Sequence, residues 1–98
     1  LTYEQTLTEH QRLTVLRLLA EGGYESNESI LQFEVNRRCP KCTRDKVRTL
    51  ISWLKDQGLV TINDVSGFMV ARITQSGLDA AKGLSVVPGV QPPSPGMG

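Results

Sequence analysis

Hydrophobic positions along this chain keep a helical period up to about residue 57 and alternate thereafter. In TEHQRLTVLRLLAEGG, Leu13, Leu16 and Ala20 share one helical face, which Val15 and Leu19 widen. Thr8 with Gln11 three residues later gives a capping-box pattern, and Gly22-Gly23 ends the segment. A second, shorter helix is predicted in YESNESILQFEVNRR, capped by Ser26 or Asn27 and patterned by Ile30, Leu31, Glu34 and Val35. Pro40 stops it, because the residue before a proline is pushed out of helical geometry. The third helix is predicted from a Thr43 cap to a Gly58 stop, with Val47, Leu50, Ile51 and Leu54 in one stripe. LVTI and FMVARI then read as two strands joined by a turn containing Gly67, with Met69, Ala71 and Ile73 on one face. Thr74 caps a short fourth helix, TQSGLDAAKG, closed by Gly83.

Helix, helix, turn, helix, hairpin and short helix make an α+β chain that is mainly α, in the layout of a winged helix-turn-helix. A two-stranded wing covers one side of the core and leaves the third helix protruding, the shape a major groove accepts. Residues 1–83 form the expected domain. From residue 84 the composition turns to SVVPGVQPPSPGMG, so 84–98 is predicted to be a Pro/Gly-rich mobile tail with at most its first few residues docked.

Charge sharpens this picture through its distribution, since the net charge is only +1. Seven of the eleven Lys and Arg residues lie between positions 37 and 55, opposed there by Asp45 alone, so this window carries +6. One basic sector on a nearly neutral protein orients its field toward a polyanion. No apolar run approaches 18 residues, and the opening LTYEQTLTEHQR has no basic-then-apolar pattern. A membrane partner and a secretory signal are therefore not expected, and two cysteines suit a reducing cytoplasm.

The runs DKVRTLISWLKDQGLVTI and VARITQSGLDAAKG resemble winged-helix regulators of the ArsR and MarR types. With the PGVQPPSPG ending, the whole chain is similar to a small winged-helix protein family of Mu-like prophages that carries an ArsR-like label. The resemblance implies a DNA-binding transcriptional regulator, phage or prophage encoded. It does not extend to metal sensing, because the Cys-rich signature of the metal-responsive members has no counterpart inside helix 43–57.

Around the third helix, Asp45, Thr49, Ser52 and Asp56 fall opposite the apolar stripe. Arg44, Arg48 and Lys55 line one flank, and Lys46 and Trp53 the other. Small polar residues at the centre admit base edges, while long cations at the sides reach phosphates. Arg48 is a candidate for guanine, Asp45 for cytosine N4 and Thr49 for a thymine methyl, unless Asp45 simply holds Arg48 in place. Thr43 and the helix N-terminus suit a phosphate, and Arg37, Arg38, Lys41 and Arg72 complete the expected interface with double-stranded DNA. Against it stand the wing tip, Asn63 to Gly67, which has an acid and no base, and the outward Asp56. A winged-helix protein–protein interaction module without DNA binding is the alternative reading, and a homodimer is open, with the ends of helix one and the tail as the surfaces for it.

Cys39-Pro40-Lys41-Cys42 has the spacing of half a zinc site or of a redox pair. Four zinc ligands are not available, since only His10 stands beyond the pair. The cysteines read as turn residues, with Cys39 half buried and the Cys42 thiol acidified by the following helix N-terminus, Arg44 and Lys46. No Gly-rich phosphate loop or nucleophile context is present, and Glu4, Glu9, Glu21, Glu25 and Glu28 read as scattered over a polar face. No enzyme, metal or cofactor is expected.

Overall fold

The computed structural model describes residues 2–93. Four helices and a three-stranded antiparallel sheet follow in the order α1 (Tyr3–Glu21), β1 (Glu25–Asn27), α2 (Glu28–Arg38), α3 (Arg44–Asp56), β2 (Val60–Val65), β3 (Phe68–Ile73) and α4 (Gln75–Lys82). This mainly helical α+β arrangement is compatible with a winged helix. No helix among the described residues is long and apolar enough to cross a membrane.

The first helix starts a turn and a half before the expected Thr8 cap. The T-x-x-Q pattern occurs twice, and the structure uses the earlier copy: Thr2 Oγ1 accepts from the Gln5 amide at 3.1 Å, and Gln5 Oε1 accepts from the Thr2 amide at 2.8 Å. From Gln11 onward α1 packs against α2, α3 and α4 at once. Its buried set therefore spans more than one stripe, taking in Gln11, Thr14 and Val15 beside Leu13, Leu16 and Leu19.

Asn27, one of the two expected caps, caps α2 by accepting from the Ile30 amide at 2.9 Å. Leu31 and Val35 are buried as expected, but Ile30 points outward and is 55% exposed. Glu28 takes the inward place instead. Thr43 caps α3, whose Val47, Leu50, Ile51 and Leu54 are all buried. Gly58, at φ 74°, supplies the left-handed turn that follows.

β2 and β3 pair from Val60↔Ile73 to Val65↔Phe68 around a turn at Ser66 and Gly67, both at positive φ. That two-residue geometry matches the twist of the flanking strands. The expected two-stranded wing gains a third strand, because β1 pairs its three residues with β3 on the other side. Glu-Ser-Asn has little strand propensity, so no sequence signal marks it. What holds it is the chain entry: Tyr24, at φ 74°, accepts from the Ile73 amide at 2.9 Å.

The tail expected to be mobile is described as far as residue 93, and its part 94–98 lies outside the described residues. Docking goes beyond the first few residues. Val90 is buried, the Gln91 amide donates to the Glu9 carbonyl at 3.2 Å, and Arg12 donates to the Gly89 carbonyl at 2.8 Å. The Arg12 guanidinium also stacks 3.8 Å from the Trp53 ring centroid, so α1, α3 and the docked residues 89–91, a strap across them, meet at one place. Gly89 sits at φ 96°, and a Cβ there would stand 2.6 Å from Trp53 Cζ2. Gly89→Ala is therefore expected to lift the strap and shift Trp53 fluorescence, while far-UV circular dichroism stays unchanged. Leu54→Ala should lower urea-unfolding stability by roughly 2–5 kcal/mol as a core truncation, whereas Ile30→Ala should change it by no more than about 0.5 kcal/mol.

Candidate nucleic-acid interface

The outward stripe of α3 is built as its period requires. With the four apolar residues turned inward, Asp45, Thr49, Ser52 and Asp56 are exposed on the opposite side. The Thr49 hydroxyl donates to the Asp45 carbonyl at 3.0 Å, which fixes its rotamer. Lys55 is exposed beside this stripe.

One flank is committed to α2. Arg44 donates from Nε to Gln32 Oε1 at 2.9 Å and from Nη2 to Ser29 Oγ at 3.4 Å, and its Nη1 lies 3.6 Å from Glu28 Oε1. Arg48 Nε is 3.8 Å from the same oxygen. The other Glu28 oxygen accepts from the Met69 amide at 2.6 Å. Glu28 is only 2% exposed, so its placement on a polar face was the largest error of sequence reasoning about the site. A buried carboxylate has to be paired, and i, i+4 arginines on the neighbouring helix supply the pairing. It also displaces the expected role of Asp45 as holder of Arg48, since Glu28 takes that contact.

The opposite flank is committed to α1. Lys46 Nζ donates to Thr8 Oγ1 at 2.8 Å, and Trp53 lies under Arg12. At the far ends of the basic window, Arg37 and Arg38 share Glu34 at 3.5 and 3.6 Å. Arg72 lies 3.7 Å from Glu25 across the β1–β3 register. Glu28 and Glu34 thus sit within the basic sector, and counting them with Asp45 against the seven cations leaves +4 there. Lys41, Lys46 and Lys55 pair with no carboxylate among the described residues. The twelve expected residues therefore divide: Asp45, Thr49, Ser52 and Lys55 face out from α3 with Arg48 beside them, Arg44 is held inward, and Lys41, Thr43 and Lys46 gather on the α1 side. Arg37, Arg38 and Arg72 stand apart in their own ion pairs.

The turn before α3 is fixed by a residue that sequence reasoning missed. Asn36 Nδ2 donates to the Cys42 carbonyl at 2.7 Å, and the Cys42 amide donates to Asn36 Oδ1 at 2.8 Å. This clamp seats both cysteines inward, at 3% and 2% exposure, rather than half open. Burial pushes the Cys42 thiol up from its ordinary value, with Lys46 pulling the other way and Cys39 adding to the rise. The expected acidification is thereby reversed, because desolvation of a thiolate outweighs one partly solvated ammonium. No cluster of metal-ligating side chains occurs among the described residues.

The hairpin tip exposes apolar surface, with Val65 at 55% and Phe68 at 45% beside Asp64. On α2, Ile30 and Phe33 are exposed in the same manner.

Comparison with known proteins finds two relatives with clear similarity. The chain is 44% identical over 89 residues to the uncharacterized protein gp26 of Escherichia phage Mu, covering 91% of this chain and 93% of that one. It is 46% identical over 76 residues to an uncharacterized protein of Haemophilus influenzae, covering 76% of this chain and 74% of that one. No family model matches, and no solved structure matches.

Glu28→Gln is expected to lower stability by roughly 1–3 kcal/mol, since it removes the charge from two ion pairs and weakens the bond to the Met69 amide. Glu34→Gln, on the surface, should cost no more than about 0.5 kcal/mol. Paired urea melts at low salt check both. The raised Cys42 pKa favours the folded state fully below the unfolded thiol's pKa, a contribution lost as pH rises through the folded value. Native protein at pH 8 should accordingly react with a thiol reagent far more slowly than the same protein in urea.

Proposed function

The chain belongs to the family of phage Mu gp26, and we propose that it is a DNA-binding transcriptional regulator of Mu-like phages. In this reading the α2–turn–α3 unit and the β2–β3 hairpin form a winged helix, and α3 enters the major groove in the host cytoplasm. The observation that carries it is the outward stripe of α3. Thr49 and Ser52 are short enough to let base edges approach, and Arg48 and Lys55 flank them at phosphate reach. Arg44 serves by bracing α3 on Glu28 rather than by reading a base. Affinity is modest: two cations at phosphate reach, Arg48 and Lys55, give a slope of log affinity on log salt of about −1.8.

A second reading, a winged-helix module that docks another protein, has its own support. Val65 and Phe68 at an acidic hairpin tip, with Ile30 and Phe33 on α2, leave more apolar surface open than phosphate recognition uses.

Replacing both Arg44 and Arg48 is a poor test, because it strands the buried Glu28. Ser52→Glu with Lys55→Glu reverses charge on the outward stripe without touching that carboxylate. Amide-shift titration of the protein with a mixed-sequence duplex should give salt-sensitive shifts centred on residues 44–55. The double variant should keep its fold and lose them. Shifts confined to the hairpin tip and α2, or none at low salt, would transfer the assignment to a protein partner.

A further inference from the structure

We propose that the cavity between the N-terminal half of α1 and the start of α3 binds a phosphoryl oxyanion that carries its own hydrogen-bond donor, as inorganic phosphate or a phosphomonoester head. The cavity holds about 330 Å³ and is lined by Glu4, Leu7, Thr8, Gln11, Lys41, Thr43 and Lys46. Four independent features of it point to such a ligand.

Its cations are the uncompensated ones. Every arginine of the basic sector has a carboxylate, but Lys46, half buried, donates only to the neutral Thr8 hydroxyl, and Lys41 pairs with no carboxylate among the described residues. The N-cap of α3, Thr43, lines the cavity as well. Thr43 Oγ1 satisfies the Lys46 amide at 3.1 Å, which leaves the Arg44 and Asp45 amides without intrahelical partners. Lys41 is held at φ 72°, a left-handed conformation costly for a residue with a Cβ, and it is kept there between Pro40 and the Asn36 clamp on Cys42.

The fourth feature selects among anions. Gln11 is 98% buried, lines this cavity, and its Oε1 has no hydrogen-bond partner. A buried acceptor left unsatisfied calls for a donor from the ligand. Hydrogen phosphate and a singly protonated phosphomonoester provide an O–H, whereas sulfate and the phosphodiester of a DNA backbone provide none at neutral pH. Glu4, at the rim, is the one carboxylate in the lining, and it too accepts from a ligand hydroxyl while opposing a fully ionised anion. The site therefore goes beyond the DNA reading and does not rest on it.

The test is an amide-shift titration of the whole chain at pH 7 and constant ionic strength, with inorganic phosphate, glycerol phosphate and sulfate as parallel probes. Saturable shifts of the Arg44 and Asp45 amides and of the Gln11 side-chain amide are expected with phosphate, glycerol phosphate or both, and the stronger of the two identifies the source. Sulfate should bind about tenfold more weakly, the equivalent of one lost hydrogen bond to a charged group. Lys46→Gln should weaken phosphate by a similar factor of about ten, while Lys55→Gln, outside the cavity, should leave it unchanged. Sulfate binding as tightly as phosphate, or no saturable shift with either phosphate probe, overturns the proposal. A DNA duplex that shifts Ser52 and Lys55 while both phosphate probes leave the cavity silent overturns this site alone and leaves the reading of α3 standing.

Discussion

A carboxylate with almost no access to water sits where α2, α3 and β3 meet, and most of the candidate interface is arranged around its need for partners. Glu28 occupies the first position of α2, where the helix dipole favours a negative charge. From there one oxygen meets both Arg44 and Arg48, and the other takes the Met69 amide. Satisfying it sets the rotation of α3 about its axis and ties the hairpin to the helix pair. The outward stripe of α3 is thus presented by a constraint on its inner flank. Charge alone would not do this, since flexible arginines on an exposed helix have no preferred direction.

That arrangement changes what a run of basic residues means. In the sequence, positions 37–55 are a block of cations with one opposing acid. In space, the arginines fall into pairs, each pair on one glutamate of α2, and only lysines keep their full charge for solvent. Arg suits this role because its planar fork makes several directed bonds at once, and Lys suits an open site because it is a point charge on a flexible stem. The sector is still basic, but its usable charge lies at Lys41, Lys46 and Lys55 rather than at the arginines nearest the centre of the helix.

Helices with a clear apolar stripe and a chemically distinct cap were legible: α3 from Thr43, α4 between Thr74 and Gly83, and both hairpin strands, with β3 found at its observed limits. Each depends on interactions within a few residues of itself. What could not be read depends on partners far along the chain. β1 exists because β3 offers an open edge. Glu28 looked like one surface acid among several. The only trace of its burial was the i, i+4 spacing of Arg44 and Arg48 without an acid of their own helix to serve both. Cys42 failed for the same reason: a helix N-terminus and two cations acidify an exposed thiol, but the Asn36 clamp that buries it is invisible in a Cys-x-x-Cys spacing.

The strap also redirects the question of self-association. Sequence reasoning left the end of helix one and the tail as surfaces on which a second copy could dock, but residues 89–91 already use the α1 surface in cis. Arg12 is central to this, since it caps the Gly89 carbonyl and covers Trp53 while burial pulls its pKa below the ordinary value and Glu9 offsets part of that cost. A second copy approaching α1 at Glu9 and Arg12 would have to displace those contacts before making its own. Exposed apolar residues lie on the outer face of α2 and at the hairpin tip, and also at Tyr3, at Tyr24 and at Leu84 and Val86 after α4. Pairing through α2 or the hairpin tip would use the elements that present α3, and would couple association to the orientation of that helix through the Glu28 carboxylate.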